Sequence, residues 1–457
     1  MMNIKKKKIA IAGATGFIGR WFIDRYKEKY DIIALSRKNV LENDRKVEWR
    51  VVDLFSISSS VDALKGVDYA IYLVHSMQPS TRLNQANFED TDLLLADNFA
   101  RAAQECKLKH IVYLGGILPK DNKNLSKHLK SRYEVEGVLG SRNTPLTTIR
   151  AGIIIGPGGS SFNIVKKLVK NLPVMACPKW TLSKNQPADL ELALHSIDVV
   201  ISNKNYFGKF IEIGGKEVVT YMDILKETAF EMNKKRWIFS IPFFSLGMSK
   251  LWVGLFSGSS TNFVSPLIES LKHEMTLNPD NKLNIQKDVS LNNSINNALA
   301  NEQLIPKNPA FKYFKKKQEN TVRSVQRMEN PSRKSAPWVA RNYPKWLSSK
   351  FGKLIDAEEN GPLLKFTFLG LCLLQLEYIK NRSDENRQLF YITGGFLTKR
   401  NNTGWLEFRS ILNGAYIITA IHEFVPRLPW FIYRFTQAKS HYYVMKKFEN
   451  YISTMNE

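Results

Sequence analysis

The chain has 457 residues, of which 44% are hydrophobic and 24% charged, with a formal net charge of +24. That length exceeds the size at which one hydrophobic core stops growing, so two or more globular domains are expected. Three dispersed cysteines, Cys106, Cys177 and Cys372, argue against a disulfide framework or a cysteine-based zinc site.

The lysine-rich start leads into only a short apolar run, Ile9–Ala12, before a glycine loop, which is too little for a secretory signal core. No window offers the roughly 18–20 uninterrupted apolar residues of a spanning helix. Trp237–Phe256 is broken by Pro242 and Lys250, and Phe366–Leu376 is short; both read as buried amphipathic helices. The expected location is the cytoplasm, with any membrane contact peripheral and drawn by the basic surface.

In chain order, Lys8–Ala12 reads as a strand, followed by the glycine loop and a helix through Lys27. Asp31–Ser36, Val47–Val52 and Tyr69–Val74 follow as strands, then a helix over Thr91–Lys107 with Leu94, Leu95, Phe99 and Ala102 on one face. The strand His110–Leu114, a helix near Ser131–Leu139 and the strand Leu146–Ile155 complete the alternation. This order predicts an α/β fold, a Rossmann doubly wound parallel sheet with its ligand crevice at the carboxyl ends of the strands.

Beyond Pro157, the helices Ser160–Lys170 and Tyr221–Met232 and the strand Phe210–Ile213 suggest a substrate lobe, giving a first domain over 1–300. The densest basic charge lies over Lys312–Arg341, and residues 301–340 read as a linker. No helix-turn-helix, zinc-finger or RNA-binding signature accompanies that charge, so no nucleic-acid partner is expected. Residues 341–457 combine strands at Leu389–Thr393, Trp405–Asn413 and Ala415–Glu423 with a helix over Trp430–Tyr451, a C-terminal α+β domain. An apolar pocket between its sheet and helix is expected, with the aromatic face Phe431, Phe435 and Tyr442 toward it and Glu407, Arg409, His422 and Glu423 as polar groups.

The strongest chemical signal is Gly13-Ala14-Thr15-Gly16-Phe17-Ile18-Gly19, directly between a strand and a helix. Gly13 permits the turn, Gly16 lets backbone approach a pyrophosphate, and Gly19 allows close helix packing. The helix N-terminus then stabilises phosphate through free N–H groups and its dipole. The second strand ends Leu35-Ser36-Arg37-Lys38 with no carboxylate, where NAD sites place an acid; Ser36 and Arg37 instead suit a 2′-phosphate. NADP is therefore expected ahead of NAD. Asp53 and Leu54 lie where adenine is met, and Val74 and His75 close the fourth strand on the same rim.

The glycine loop, Tyr72-Leu-Val-His-Ser-Met77, Asn98–Ala103, His110–Gly116 and Leu172–Met175 together resemble the atypical short-chain dehydrogenase/reductases, in the NmrA-like branch with a C-terminal domain of unknown function. The resemblance covers roughly Lys8–Glu274, and Gly404–Phe408 resembles the extra domain, which is similar to a helix-grip, START-like fold. It implies a Rossmann fold and a nicotinamide cofactor. The wider superfamily uses Tyr-x-x-x-Lys with a serine at the fifth strand's end. Here Gly115-Gly116 stand at the serine position, and Gly137 stands four residues after Tyr133. Lys130 precedes Tyr133 by three and is the candidate catalytic partner in reversed order; Ser126, His128 and Arg150 are further candidate proton donors. The expected function is an NADP(H)-dependent oxidoreductase acting on a small hydrophobic carbonyl, enone or quinone. The alternative is a non-catalytic NADP(H)-sensing regulator or ligand-binding protein.

Overall fold

The computed structural model describes residues 6–41, 46–76, 84–119, 124–241, 261–283, 289–311, 321–399 and 404–455. Two compact units emerge. The first comprises Met1–Gln78 and Leu95–Tyr313, and the second Pro79–Leu94 and Phe314–Glu457.

The first unit is built on a seven-stranded, wholly parallel sheet. Its order is Phe210–Ile213, Leu146–Ala151, His110–Gly116, Tyr69–Tyr72, Lys8–Ala12, Asp31–Ser36, Val47–Val51. Strand order reverses beside Lys8–Ala12, which pairs with Asp31–Ser36 on one side and Tyr69–Tyr72 on the other. A crevice opens beyond the carboxyl ends at such a switch point. The central strands Lys8–Ala12, Asp31–Ser36 and Tyr69–Tyr72 read as near-continuous apolar runs because both faces are covered. Ile9, Ile11, Ile71, Val112 and Ile149 are fully buried. This is the Rossmann architecture that the alternation predicts.

The second unit carries an eight-stranded sheet, antiparallel except where Asn84–Gln85 joins Val322–Glu329 in parallel. The helices Ala336–Phe351 and Gln437–Thr454 contribute Val339, Tyr343, Trp346, Phe448 and Ile452 to a core with Phe366, Phe390 and Phe408 of the sheet.

Several expectations differ from this structure. Residues 301–340 are not a plain linker: Val322–Glu329 is a sheet strand, and the Ala336–Phe351 helix starts within that range, capped by Ser335. Its apolar residues recur three and four apart, a pattern hidden from composition by the surrounding cations. Of those cations, Arg323 pairs with Glu423 and Arg327 with Asp90, so they serve the fold; residues 312–320 lie outside the described residues. Phe366–Leu376 is two strands, Leu363–Phe368 and Leu371–Tyr378, because Leu369 and Gly370 turn the chain at positive φ. Trp237–Ile241 is a strand parallel to Val174–Pro178, not the start of a helix; 242–260 lie outside the described residues.

In the second unit, the expected aromatic face points outward: Phe431 is 67%, Phe435 63% and Tyr442 61% exposed. The long C-terminal helix breaks at Thr436 into Trp430–Phe435 and Gln437–Thr454, and it is Met445, Phe448 and Ile452 that turn inward. The interior is filled by aromatic rings, with Tyr343 within 6 Å of Phe366, Phe408 and Phe448. A cleft of about 540 Å³ does lie between Val322–Glu329 and the last helix, but Arg327, Asp90, Arg434, Lys439 and Lys446 give it a charged lining. Among the described residues no helix is long and apolar enough to cross a membrane.

Candidate functional site

The site begins with the turn after Lys8–Ala12. Gly13 sits at φ +91°, where a Cβ would come within 3.0 Å of Leu73, so a side chain is excluded twice over. Gly16 caps the helix Phe17–Tyr26 without any side-chain hydrogen bond, and no acidic residue occupies the first turn. The first-turn N–H groups and the positive dipole end therefore meet no carboxylate from their own turn. A Cβ on Gly19 would stand 2.4 Å from the Gly13 carbonyl oxygen, so helix and loop touch backbone to backbone there. This cradle fits a pyrophosphate.

A cavity of about 660 Å³ opens from this loop. Gly13, Gly16, Phe17, Ile18, Gly19, Arg37 and His75 of the expected cofactor residues line it. Thr15, Ser36, Asp53, Leu54 and Val74 sit at neighbouring turns and strand ends without lining it. Ser36 is buried, and its Oγ accepts the Lys38 backbone N–H at 3.1 Å, which shapes the turn presenting Arg37. Asp53 accepts the Phe55 N–H at 3.1 Å, and the Leu54 carbonyl accepts from Asn98 Nδ2 at 2.8 Å. These bonds order the turn after the third strand.

The far wall of the cavity is apolar, with Ile164, Leu168, Trp180, Leu225, Ile268 and Leu271. Tyr221 belongs to it, edge-on to Trp180 at 6.3 Å between centroids. Its hydroxyl is buried without a hydrogen-bond partner among the described residues. An orphaned buried hydroxyl costs stability unless some acceptor reaches it.

The expected catalytic pair is not in this cavity. Tyr133 is 50% exposed, and the Lys130 ammonium lies 3.8 Å from Glu134 on the solvent side of the helix Lys127–Leu139. Both are absent from the lining, which takes His128, Leu129 and Arg132 from that helix instead. Helical geometry explains the correction: residues three and four apart share a face, so Leu129 and Arg132 turn to Gly116 while Lys130 and Tyr133 turn away. Ideal Cβ atoms on Gly116 would meet Leu129 at 3.6 Å and Arg132 at 3.9 Å.

The other candidate donors separate clearly. Ser126 caps the helix by accepting from Leu129 N and bonds Ser270 Oγ at 2.9 Å. Arg150 is locked in a two-pronged bond to Glu136 at 3.0 and 2.7 Å, and its guanidinium lies over the Phe210 ring. Both are structural. His128 remains in the cavity, with its Nδ1 3.2 Å from His75 Nε2. Burial first, then His75 and Arg132, hold the His128 imidazole well below the usual histidine range. Arg132, which was not among the expected site residues, stands four after His128, and its Nη1 donates to the Tyr113 hydroxyl at 3.4 Å. The signal was present in the sequence as His-x-x-x-Arg, the spacing of Tyr-x-x-x-Lys with different chemistry. No cluster of potential metal ligands occurs among the described residues.

Residues 9–133 match the family model described as the NAD dependent epimerase/dehydratase family. The auxiliary protein GraX of Staphylococcus aureus is 29% identical over 147 residues, which is 31% of this chain and 43% of that relative. The match thus spans less than half of the relative's length. Among solved structures, a nucleoside-diphosphate-sugar epimerase from Staphylococcus aureus is similar over 63% of this chain and 99% of its own, with a TM-score of 0.50 at 15% identity. The triphenylmethane reductase of Citrobacter sp., solved with NADP(H), covers 64% of this chain and 99% of its own at 17% identity, with a TM-score of 0.49. At 15% identity the likeness to the epimerase carries the fold alone, and it agrees with the parallel sheet described above.

Proposed function

We propose that the chain is an NADP(H)-dependent reductase of the atypical, NmrA-like short-chain type, acting on an apolar carbonyl or quinone-type substrate. One observation carries this reading: a single cavity runs from the glycine cradle to an apolar wall that a dinucleotide phosphate would not need. Apolar chambers with a few polar groups are the usual seats of small ligands. The orphaned Tyr221 hydroxyl in that wall favours a substrate with a hydrogen-bond acceptor. The family model over residues 9–133 speaks for a nicotinamide cofactor. Arg37 on the lining speaks for NADP, since its guanidinium can take a 2′-phosphate in a two-pronged bond.

A second reading is a protein that binds NADP(H) without turnover and signals its level. The outward-facing Tyr133 and Lys130 favour it, as does the partial likeness to a relative named an auxiliary protein. Purified protein offered NADPH with a panel of quinones and aldehydes, followed by nicotinamide absorbance, separates the two. Turnover supports the reductase; tight NADPH binding without turnover on any of the panel supports the sensor.

The antiparallel sheet and long last helix of the C-terminal unit support a helix-grip-like topology for it. Its aromatic filling favours a packed domain over a ligand vessel.

A further inference from the structure

Reduction of a carbonyl or quinone needs a proton at oxygen, and Tyr133 and Lys130 stand outside the cavity where that proton is required. Two imidazoles stand inside it. His75 lies just beyond the carboxyl end of the strand Tyr69–Tyr72, and His128 is in the first turn of the helix Lys127–Leu139. Their rings approach to 4.9 Å between centroids at 49°, with Nε2 of His75 3.2 Å from Nδ1 of His128. Arg132, one turn further along the same helix, faces the same space.

We propose, on the strength of the reductase reading above, that His128 is the proton donor and that His75 recharges it through the Nε2···Nδ1 contact. At neutral pH the His128 ring is neutral, for burial, His75 and Arg132 all oppose a second proton on it. With Nδ1 accepting from His75 Nε2–H, the single proton of His128 sits on Nε2 and is left to donate. A neutral imidazole can act as the electrophile toward a carbonyl in this way.

The balance closes with two groups and not with one. The hydride, supplied by a reduced nicotinamide, forms the new C–H bond, and the carbonyl π pair moves to oxygen. That oxygen takes the Nε2 proton of His128. His128 Nδ1 takes the Nε2 proton of His75, which regains one from solvent; after product leaves, a solvent proton at His128 Nε2 and return of the shared proton to His75 restore the starting tautomers. Without His75, donation would leave His128 as an imidazolate, a charge on a ring whose burial disfavours it. Four-residue spacing lets Arg132 keep a positive charge beside the developing oxyanion, the electrostatic part that lysine plays in Tyr-x-x-x-Lys.

The alternative role of the two rings is polar packing at a strand end, and the test separates the roles in the full chain. His128→Gln and His75→Asn are compared with the parent for NADPH affinity, for single-turnover hydride transfer to phenanthrenequinone, and by NMR of histidine-labelled protein. Parent-like NADPH affinity with a transfer rate about a hundredfold lower is expected in His128→Gln, and a smaller loss of transfer at saturating NADPH in His75→Asn. The NMR should report the Nε2–H tautomer at His128, with its Nδ1 signal displaced by His75→Asn. Parent-like transfer in His128→Gln, or an Nδ1–H tautomer at His128 with normal NADPH binding, overturns the proposal alone. A parent protein that binds no NADPH, or binds it and transfers hydride to none of the quinones and aldehydes, sinks the reductase reading, and this proposal with it.

Discussion

Gly19 and Gly13 meet backbone to backbone: a Cβ on Gly19 would stand 2.4 Å from the Gly13 carbonyl oxygen and 2.8 Å from Ala14 Cα. Neither neighbour is a flexible side chain, so the helix Phe17–Tyr26 would have to shift away from the first strand. Gly19→Ala should therefore destabilise the first unit by about 1–3 kcal/mol, as overpacking does. Thermal unfolding of the variant checks this, and an unchanged midpoint would mean that the contact is looser than described.

Arg37 reaches the cavity from the turn that the Ser36 hydroxyl braces. NADPH should bind at least about tenfold more tightly than NADH, the worth of roughly one charge-assisted contact. Arg37→Ala should erase that preference while leaving NADH affinity alone. Equal affinities in the parent would remove the assignment of Arg37.

His110 gives a pH prediction within the first unit. It is fully buried, accepts the Ser202 N–H at Nδ1 and donates from Nε2 to Thr147 Oγ1 at 2.8 Å, so it is neutral. Burial lowers its pKa to about 4. The unfolded chain binds this proton near pH 6.5 and the folded chain does not, so stability is held above pH 6.5 and falls as pH drops toward 4. The loss from this one residue is on the order of 3 kcal/mol. Histidine NMR at pH 5 should still find His110 neutral; a protonated ring there would refute the burial argument.

How much of this was legible beforehand depended on which face each residue takes. The strands Lys8–Ala12 and Asp31–Ser36 matched their expected limits, because short apolar runs between turns mark a doubly covered strand. Gly13, Gly16 and Gly19 were legible because spacing and context together specify the turn. The outward turn of Tyr133 was not legible, because residue identity does not fix the helix register that turns His128 and Arg132 inward. The Ala336–Phe351 helix stayed hidden because its apolar stripe is diluted by Arg341, Lys345 and Lys350. Glu407, Arg409 and His422 looked like pocket groups; they form a closed cluster with Arg387, fully buried in the second sheet.

That cluster is itself testable. Burial alone would raise the Glu407 carboxyl, but Arg409, Arg387 and the bond from His422 hold it well below the usual range. Glu407→Gln leaves two buried guanidinium groups without their anion and should cost about 3–5 kcal/mol. Denaturation of the full chain, followed by circular dichroism, measures it; Trp405, stacked on His422 at 4.8 Å, packs against the same cluster. A loss below about 1 kcal/mol, typical of an exposed pair, would contradict the buried geometry.

The central claim is that a nicotinamide dinucleotide lies on the Gly13–Gly19 loop, and the most direct measurement is a calorimetric titration of NADPH into the parent and into Gly16→Val. Gly16 is exposed, and a Cβ there meets only the Gly13 oxygen at 3.1 Å, so the fold should survive, as circular dichroism would show. The account predicts saturable one-site binding to the parent and none to the folded variant, whose side chain would stand where the pyrophosphate must approach. Normal NADPH binding by folded Gly16→Val, or no binding by the parent, would contradict it.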